Sequence, residues 1–120
     1  MREPVKQQRG AQAEDLACRH LQSKGLKLIT RNYRCPRGEI DLIMDHAGTV
    51  VFVEVRYRSN PNFGSGADSV DYRKQCKLNA TALHYLQHHD ALAKRQARFD
   101  VISISQPGGQ PQIDWIINAF

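Results

Sequence analysis

Two strand-like runs, residues 39–45 (EIDLIMD) and 50–58 (VVFVEVRYR), stand on either side of His46, Ala47, Gly48 and Thr49. Apolar and β-branched residues interrupted so briefly by turn formers predict an antiparallel hairpin. In the second run Val51, Val53, Val55 and Tyr57 fall on one face, and Val50, Phe52, Glu54, Arg56 and Arg58 on the other. Both faces begin apolar, as in a central strand covered on both sides, and charge enters only in the second half. Chemistry therefore has one natural point of entry into an otherwise buried sheet.

The flanking sequence supplies the cover. Over residues 11–24, Ala13, Leu16, Ala17, His20 and Leu21 recur at helical spacing, and Gly25 offers a left-handed stop. Residues 26–33 have strand propensity without clean alternation, predicting an edge or irregular strand that Cys35, Pro36, Arg37 and Gly38 break. A second helix is expected from the N-cap Asp71, stapled by Val70, to about His88, with Leu78, Ala82, Tyr85 and Leu86 as its apolar stripe. Residues 97–105 and 113–119 read as two more strands, parted by the turn QPGGQP. The order α, β, β, β, α, β, β predicts an α/β fold: a mixed five-stranded sheet flanked by helices, with a helical crossover returning a strand beside an antiparallel meander. Residues 1–120 read as one domain, with 1–9 as a flexible tail and the Ser-, Asn-, Pro- and Gly-rich stretch 59–68 as a loop of active-site-flap length.

Seventeen Lys and Arg against 12 Asp and Glu leave a net charge of +5, and 41% hydrophobic content argues for a folded basic domain. Such a surface favours polyanions, nucleic acid or an anionic membrane face. No run approaches the ~20 apolar residues of a membrane span, and the opening MREPVKQQRG lacks the apolar core of a secretion signal. The expectation is a cytoplasmic protein with no membrane partner. Cys18, Cys35 and Cys76 form no CxxC pair, so free thiols are expected rather than a disulfide framework or a thiolate zinc site. His84 and His88 lie four apart, with no third metal ligand near them in sequence.

If Asp45 and Val50 close the hairpin around a four-residue loop, antiparallel pairing sets Asp41 opposite Glu54. Their Cβ atoms would start about 4.5–5.5 Å apart, close enough for one divalent ion between the carboxylates, Mg2+ in the first place and Mn2+ as an alternative. Arg56 follows Glu54 by two positions on the same face, adding a fixed positive charge. Oxygen ligands for a metal, a water it acidifies and a cation for the phosphate are the parts of phosphodiester hydrolysis. A cross-strand ion pair on a half-exposed strand fits the same residues. Glu39 is a secondary candidate by period two. Gln75 lies on the sheet-facing side of its helix and asks for a partner there. With Arg73, Lys74 and Lys77, it makes the first turns of that helix a candidate phosphate contact. Arg58, Arg31, Arg34 and Arg37 would extend a phosphate track if they gather on one side. Tyr33, Tyr57 and Phe63 are candidates for base stacking, against core packing.

The segments GAQAEDLA (10–17), NYRCPRGEIDLI (32–43), VFVEVRYR (51–58) and RFDV (98–101) resemble the YraN-like family of small bacterial proteins, from Gly10 to the C-terminus. That family is grouped with the restriction-endonuclease-like nucleases of PD-(D/E)xK type and is distantly similar to archaeal Holliday-junction resolvases. The resemblance implies a restriction-endonuclease-like fold with Asp41 as the metal-binding aspartate, Glu54 as the second acidic ligand and Glu14 as an additional one. Arg56 stands at the motif's lysine position. An arginine does not lose its proton at any working pH, which excludes a general-base role and leaves water orientation or charge stabilisation. The resemblance implies a magnesium-dependent endonuclease or junction-resolving nuclease on structured or branched DNA. Symmetrical junction cutting would call for a homodimer. A non-catalytic nucleic-acid-binding protein that keeps the nuclease fold is the alternative, and Arg56 is the feature that separates the two.

Overall fold

The computed structural model describes residues 5–58, 70–106 and 109–120, so the loop read over residues 59–68 lies outside the described residues. The elements are α1 (Val5–Ser23), β1 (Lys27–Cys35), β2 (Gly38–His46), β3 (Thr49–Arg58), α2 (Tyr72–Gln87), α3 (Asp90–Ala93), β4 (Ala97–Ser105) and β5 (Gln112–Ile116). The strands form one mixed sheet in the order β1-β2-β3-β4-β5. Only the β3–β4 pair is parallel, and α2 makes the crossover between them. This is the α/β architecture the element order predicts, with β3 at its centre.

The hairpin register is the expected one, Asp45 against Val50, and the pairing runs from His46↔Thr49 to Leu42↔Val53. The connection is tighter than expected, since His46 pairs with Thr49 and only Ala47 and Gly48 turn. Both have positive φ, 51° and 93°, as a two-residue primed turn requires. Ala47 is strained there, and the Asp45 side chain steadies the turn by accepting the Gly48 N–H at 2.8 Å. β1 is the irregular edge strand foreseen: its register shifts between Leu28 and Thr30, and Asn32 has φ 53°.

Each face of the sheet carries one helix. Ala13, Ala17 and Leu21 of α1 pack on Leu42, Met44, Val51, Val53, Ile102 and Ile104. Leu78, Ala82 and Tyr85 of α2 pack on Ile40, Ile43, Val50, Phe52 and Val101. Strict alternation would put Ile40 and Leu42 on one face, yet they belong to opposite cores. β2 is therefore irregular at Asp41, the residue between them.

A buried polar network fixes the far end of the sheet. Asp100 is fully buried. Its carboxylate accepts from Arg98 Nε (2.9 Å), Trp115 Nε1 (2.9 Å) and the Asn118 backbone N–H (2.9 Å). Arg98 reaches on to His46 Nδ1 at 2.8 Å. So many donors keep the charge compensated away from water.

Several boundaries differ from expectation. α1 begins at Val5, well before Ala11, because the exposed Gly10 weakens a helix without breaking it. α2 ends at Gln87 with His88 as its C-cap, as expected, but the single turn of α3 that follows is an element not expected from the sequence. β5 stops at Ile116 rather than 119, where Asn118 turns with φ 54° to cap Asp100. Among the described residues, no helix is long and apolar enough to cross a membrane.

Candidate active site

A cleft of about 410 Å³ opens between the start of β2, the second half of β3 and the first turns of α2. It is lined by Gly38, Glu39, Asp41, Glu54, Asp71, Arg73, Lys74, Lys77, Leu78 and Thr81. Its floor exists because the hairpin register carries Asp41 and Glu54 one step beyond the Leu42↔Val53 pair. Its roof exists because Asp71 starts α2 by accepting the Lys74 N–H at 2.8 Å, while Val70 sits buried in the core beneath the helix. Gly38 makes the approach of roof and floor possible. Its φ is +151°, and a Cβ there would stand 2.9 Å from Thr81 Oγ1.

The two carboxylates have different surroundings. Glu54 is 7% exposed. Its Oε1 faces two cations, Lys74 Nζ at 2.8 Å and Arg56 Nε at 3.6 Å. Asp41 accepts the Val55 backbone N–H at 2.8 Å through Oδ2. That bond favours its charged form, but burial and the neighbouring charge of Glu54 outweigh it, and the Asp41 carboxyl is pushed up to about 7. Glu14 and Glu39 add smaller contributions in the same direction.

The structure thus brings Asp41 and Glu54 to one cleft and sets Arg56 beside Glu54. It does not bring Glu14 into that lining. Glu14 sits on α1, with Arg31 3.8 Å from its carboxylate and 2.7 Å from that of Asp15. Among the described residues, no three His, Cys, Asp or Glu side chains converge on a point that would hold a metal ion. Lys74, Arg73 and Lys77 all line the cleft, but Lys74 reaches it as the partner of Glu54. Gln75 turns its amide to the Val70 carbonyl at 3.0 Å rather than to the carboxylates. The Asp71 carboxylate occupies the exposed helix start, so the first turn offers its side-chain cations more than free N–H groups. Arg58 lies at the end of β3, two positions beyond Arg56.

The arginines of β1 do not form one track: Arg31 is taken by α1, and Arg34 pairs with Glu39 at 3.1 Å. Tyr33 is held by His84 Nδ1 and packs edge-on against Tyr85. Phe63 lies outside the described residues. His84 and His88 stack, and the Nδ1 of His88 bonds the His84 carbonyl oxygen. The signal sequence reasoning missed is the spacing of Asp71, Lys74, Leu78 and Thr81, which places Lys74 on the same helix face as the core-facing Leu78.

Fold and site together define a mixed five-stranded α/β domain with a carboxylate–cation cleft under its crossover helix. The chain belongs to the UPF0102 (YraN) family: the model described as "Uncharacterised protein family UPF0102" matches residues 13–104. A UPF0102 protein of Nitrosococcus oceani is 45% identical over 120 residues, covering 100% of this chain and 97% of that protein. One of Pseudomonas syringae is 48% identical over 121 residues, covering 100% and 98%. One of Stutzerimonas stutzeri is 49% identical over 114 residues, covering 95% of each. Among solved structures, Pyrococcus furiosus SfsA in complex with Ca2+ aligns with a TM-score of 0.35 at 12% identity, over 92% of this chain and 62% of that one.

Proposed function

We propose that the chain is a divalent-metal-dependent endonuclease of restriction-endonuclease-like type, acting on structured or branched DNA. The observation that carries this reading is the juxtaposition of Asp41 and Glu54, two carboxylates in a cleft rimmed by Arg73, Lys74 and Lys77. The donor set fits Mg2+ or Mn2+. Both groups offer hard oxygen, and Mg2+ is commonly held by one or two carboxylates with water and substrate phosphate completing its shell. The Asp41 carboxyl, raised first by burial and then by the neighbouring Glu54 charge, is consistent with the fit, because a divalent ion would favour its ionised form. When bound, such an ion acidifies a water and stabilises charge on a phosphate.

The chain's own residues supply the rest. Asp41 is oriented by the Val55 N–H and Glu54 by Lys74 and Arg56, so neither carboxylate must find its position when substrate arrives. Arg73 and Lys77 draw the backbone towards the cleft and hold its phosphates. Arg56 lies beside Glu54 as a permanent positive charge, able to stabilise a developing phosphorane and unable to take a proton.

The same residue favours a second reading, a nucleic-acid-binding protein that keeps this fold without turnover. Incubation of labelled duplex, branched and single-stranded DNAs with Mg2+ or Mn2+, beside Asp41→Ala and Glu54→Ala, separates the two. Cleavage that both variants abolish is the expected result. Binding without cleavage under either ion overturns the nuclease in favour of the second reading, and Arg56→Lys then tests whether the arginine is the reason.

A further inference from the structure

Glu54 Oε1 is contested. Lys74 Nζ lies 2.8 Å from it, the distance of a charge-assisted hydrogen bond, while Arg56 Nε lies 3.6 Å away. The two cations differ in freedom. Arg56 belongs to the same strand as Glu54, two positions on, and its side chain is 26% exposed. Lys74 comes from the facing helix on a flexible four-carbon stem, and its side chain is 37% exposed. A divalent ion between Asp41 and Glu54 would need lone pairs of Glu54 and would meet the Lys74 ammonium at close range, where like charges repel strongly. Arg73 and Lys77 line the same cleft, so a phosphate drawn there comes within the neighbourhood that Lys74 can sweep.

We propose that Lys74 is the resident cation of the cleft: its ammonium holds Glu54 until a divalent ion takes that carboxylate, and a substrate phosphate receives the released ammonium. Metal and nucleic acid then strengthen each other's binding, by equal factors, through one side chain that changes partner. The displacement rests on the Lys74–Glu54 contact. The identity of the anion rests on the nuclease reading.

The test is Mn2+ binding to the full chain, followed by the resonance of the free ion, for wild type, Lys74→Met, Lys74→Gln and Lys77→Met. Lys74→Gln keeps a neutral donor for Glu54, should the methionine variant fail to fold. Lys77→Met removes an equal charge from the same cleft. Both Lys74 variants are expected to bind Mn2+ roughly three- to tenfold more tightly than wild type, the worth of one charge-assisted bond to a buried carboxylate from a half-exposed amine, with a much smaller change in Lys77→Met. An equal gain in Lys77→Met, no gain in the Lys74 variants, or no Mn2+ binding by any of the four overturns the displacement.

Repeating the titrations with a short thymidine oligonucleotide tests the transfer. The oligonucleotide should tighten Mn2+ binding in wild type and do so less in the Lys74 variants; undiminished coupling, or none in wild type, overturns it. The two readings fail separately. Absent cleavage with the Mn2+ shift intact removes the nuclease and leaves the displacement, whereas cleavage without the shift does the reverse.

Discussion

Replacing Asp41 by asparagine should stabilise the metal-free protein increasingly as pH rises from about 4 to about 7, and by a constant amount above that. The Asp41 carboxyl rises from its ordinary 3.8 to about 7 in the folded chain, chiefly through burial and then through the charge of Glu54. A group whose folded value is raised favours the folded state while it is protonated, so that contribution is complete below about pH 4 and is lost as pH climbs through about 7. At ~1.4 kcal/mol per pH unit the loss amounts to about 4 kcal/mol at most. Asparagine carries no charge to bury, and its side-chain oxygen can still accept the Val55 N–H that Asp41 accepts at 2.8 Å. Urea unfolding in the presence of a chelator, from about pH 4 to pH 8, should give nearly equal stabilities at the acid end. At the alkaline end Asp41→Asn should lead by up to about 4 kcal/mol. Parallel curves for the two proteins, or a variant less stable at pH 8, would refute the reasoning that this carboxylate is held against its electrostatic preference.

The same logic sets the response to metal. Saturating Mg2+ should raise the wild-type melting temperature more at about pH 8 than at about pH 5, because protonation of Asp41 competes with the ion, and should do little in Asp41→Asn. Gly38→Ala should destabilise the protein by roughly 1–3 kcal/mol and distort the cleft, since the added methyl meets Thr81 Oγ1 at 2.9 Å where φ is already +151°; thermal unfolding measures the first effect and Mn2+ affinity the second. Asp100→Ala should cost about 3–5 kcal/mol in urea unfolding, because Arg98 then loses its buried partner, while Mn2+ affinity is unchanged in whatever fraction remains folded.

The hairpin was legible because period-two alternation and a short turn constrain register jointly: once Asp45 faces Val50, the pairing as far as Leu42 and Val53 follows from counting, and Asp41 and Glu54 lie one step beyond its end. The N-cap Asp71 and the stripe of Leu78, Ala82 and Tyr85 were legible because helix ends and apolar faces are local signals. Side-chain pairings made only by tertiary packing were not. The spacing of Lys74 and Leu78 puts both on one face of α2, but that Lys74 reaches Glu54 depends also on the height of α2 over the sheet, which no sequence separation encodes. Gln75 reads from sequence as a polar residue in need of a partner, and that partner is the Val70 carbonyl at the helix's own entrance rather than a cleft residue. Glu14 enters only through the family resemblance, since an acidic residue in a helix reads equally well as ordinary helix charge, and in the structure Arg31 of β1 lies 3.8 Å from its carboxylate. The bend of β2 at Asp41 escaped for the opposite reason: Ile40, Leu42, Ile43 and Met44 are all apolar, and a run buried on both faces carries no alternation to reveal a slip.

Locating Mn2+ by its anomalous scattering in crystals of the full chain tests the proposed metal centre most directly. One strong peak within bonding distance of a carboxylate oxygen from Asp41 and another from Glu54, with Lys74 Nζ withdrawn from Glu54, is the expected result. Peaks confined to other sites such as His84 and His88, or a cleft without Mn2+ and with the Lys74–Glu54 contact unchanged, would contradict it.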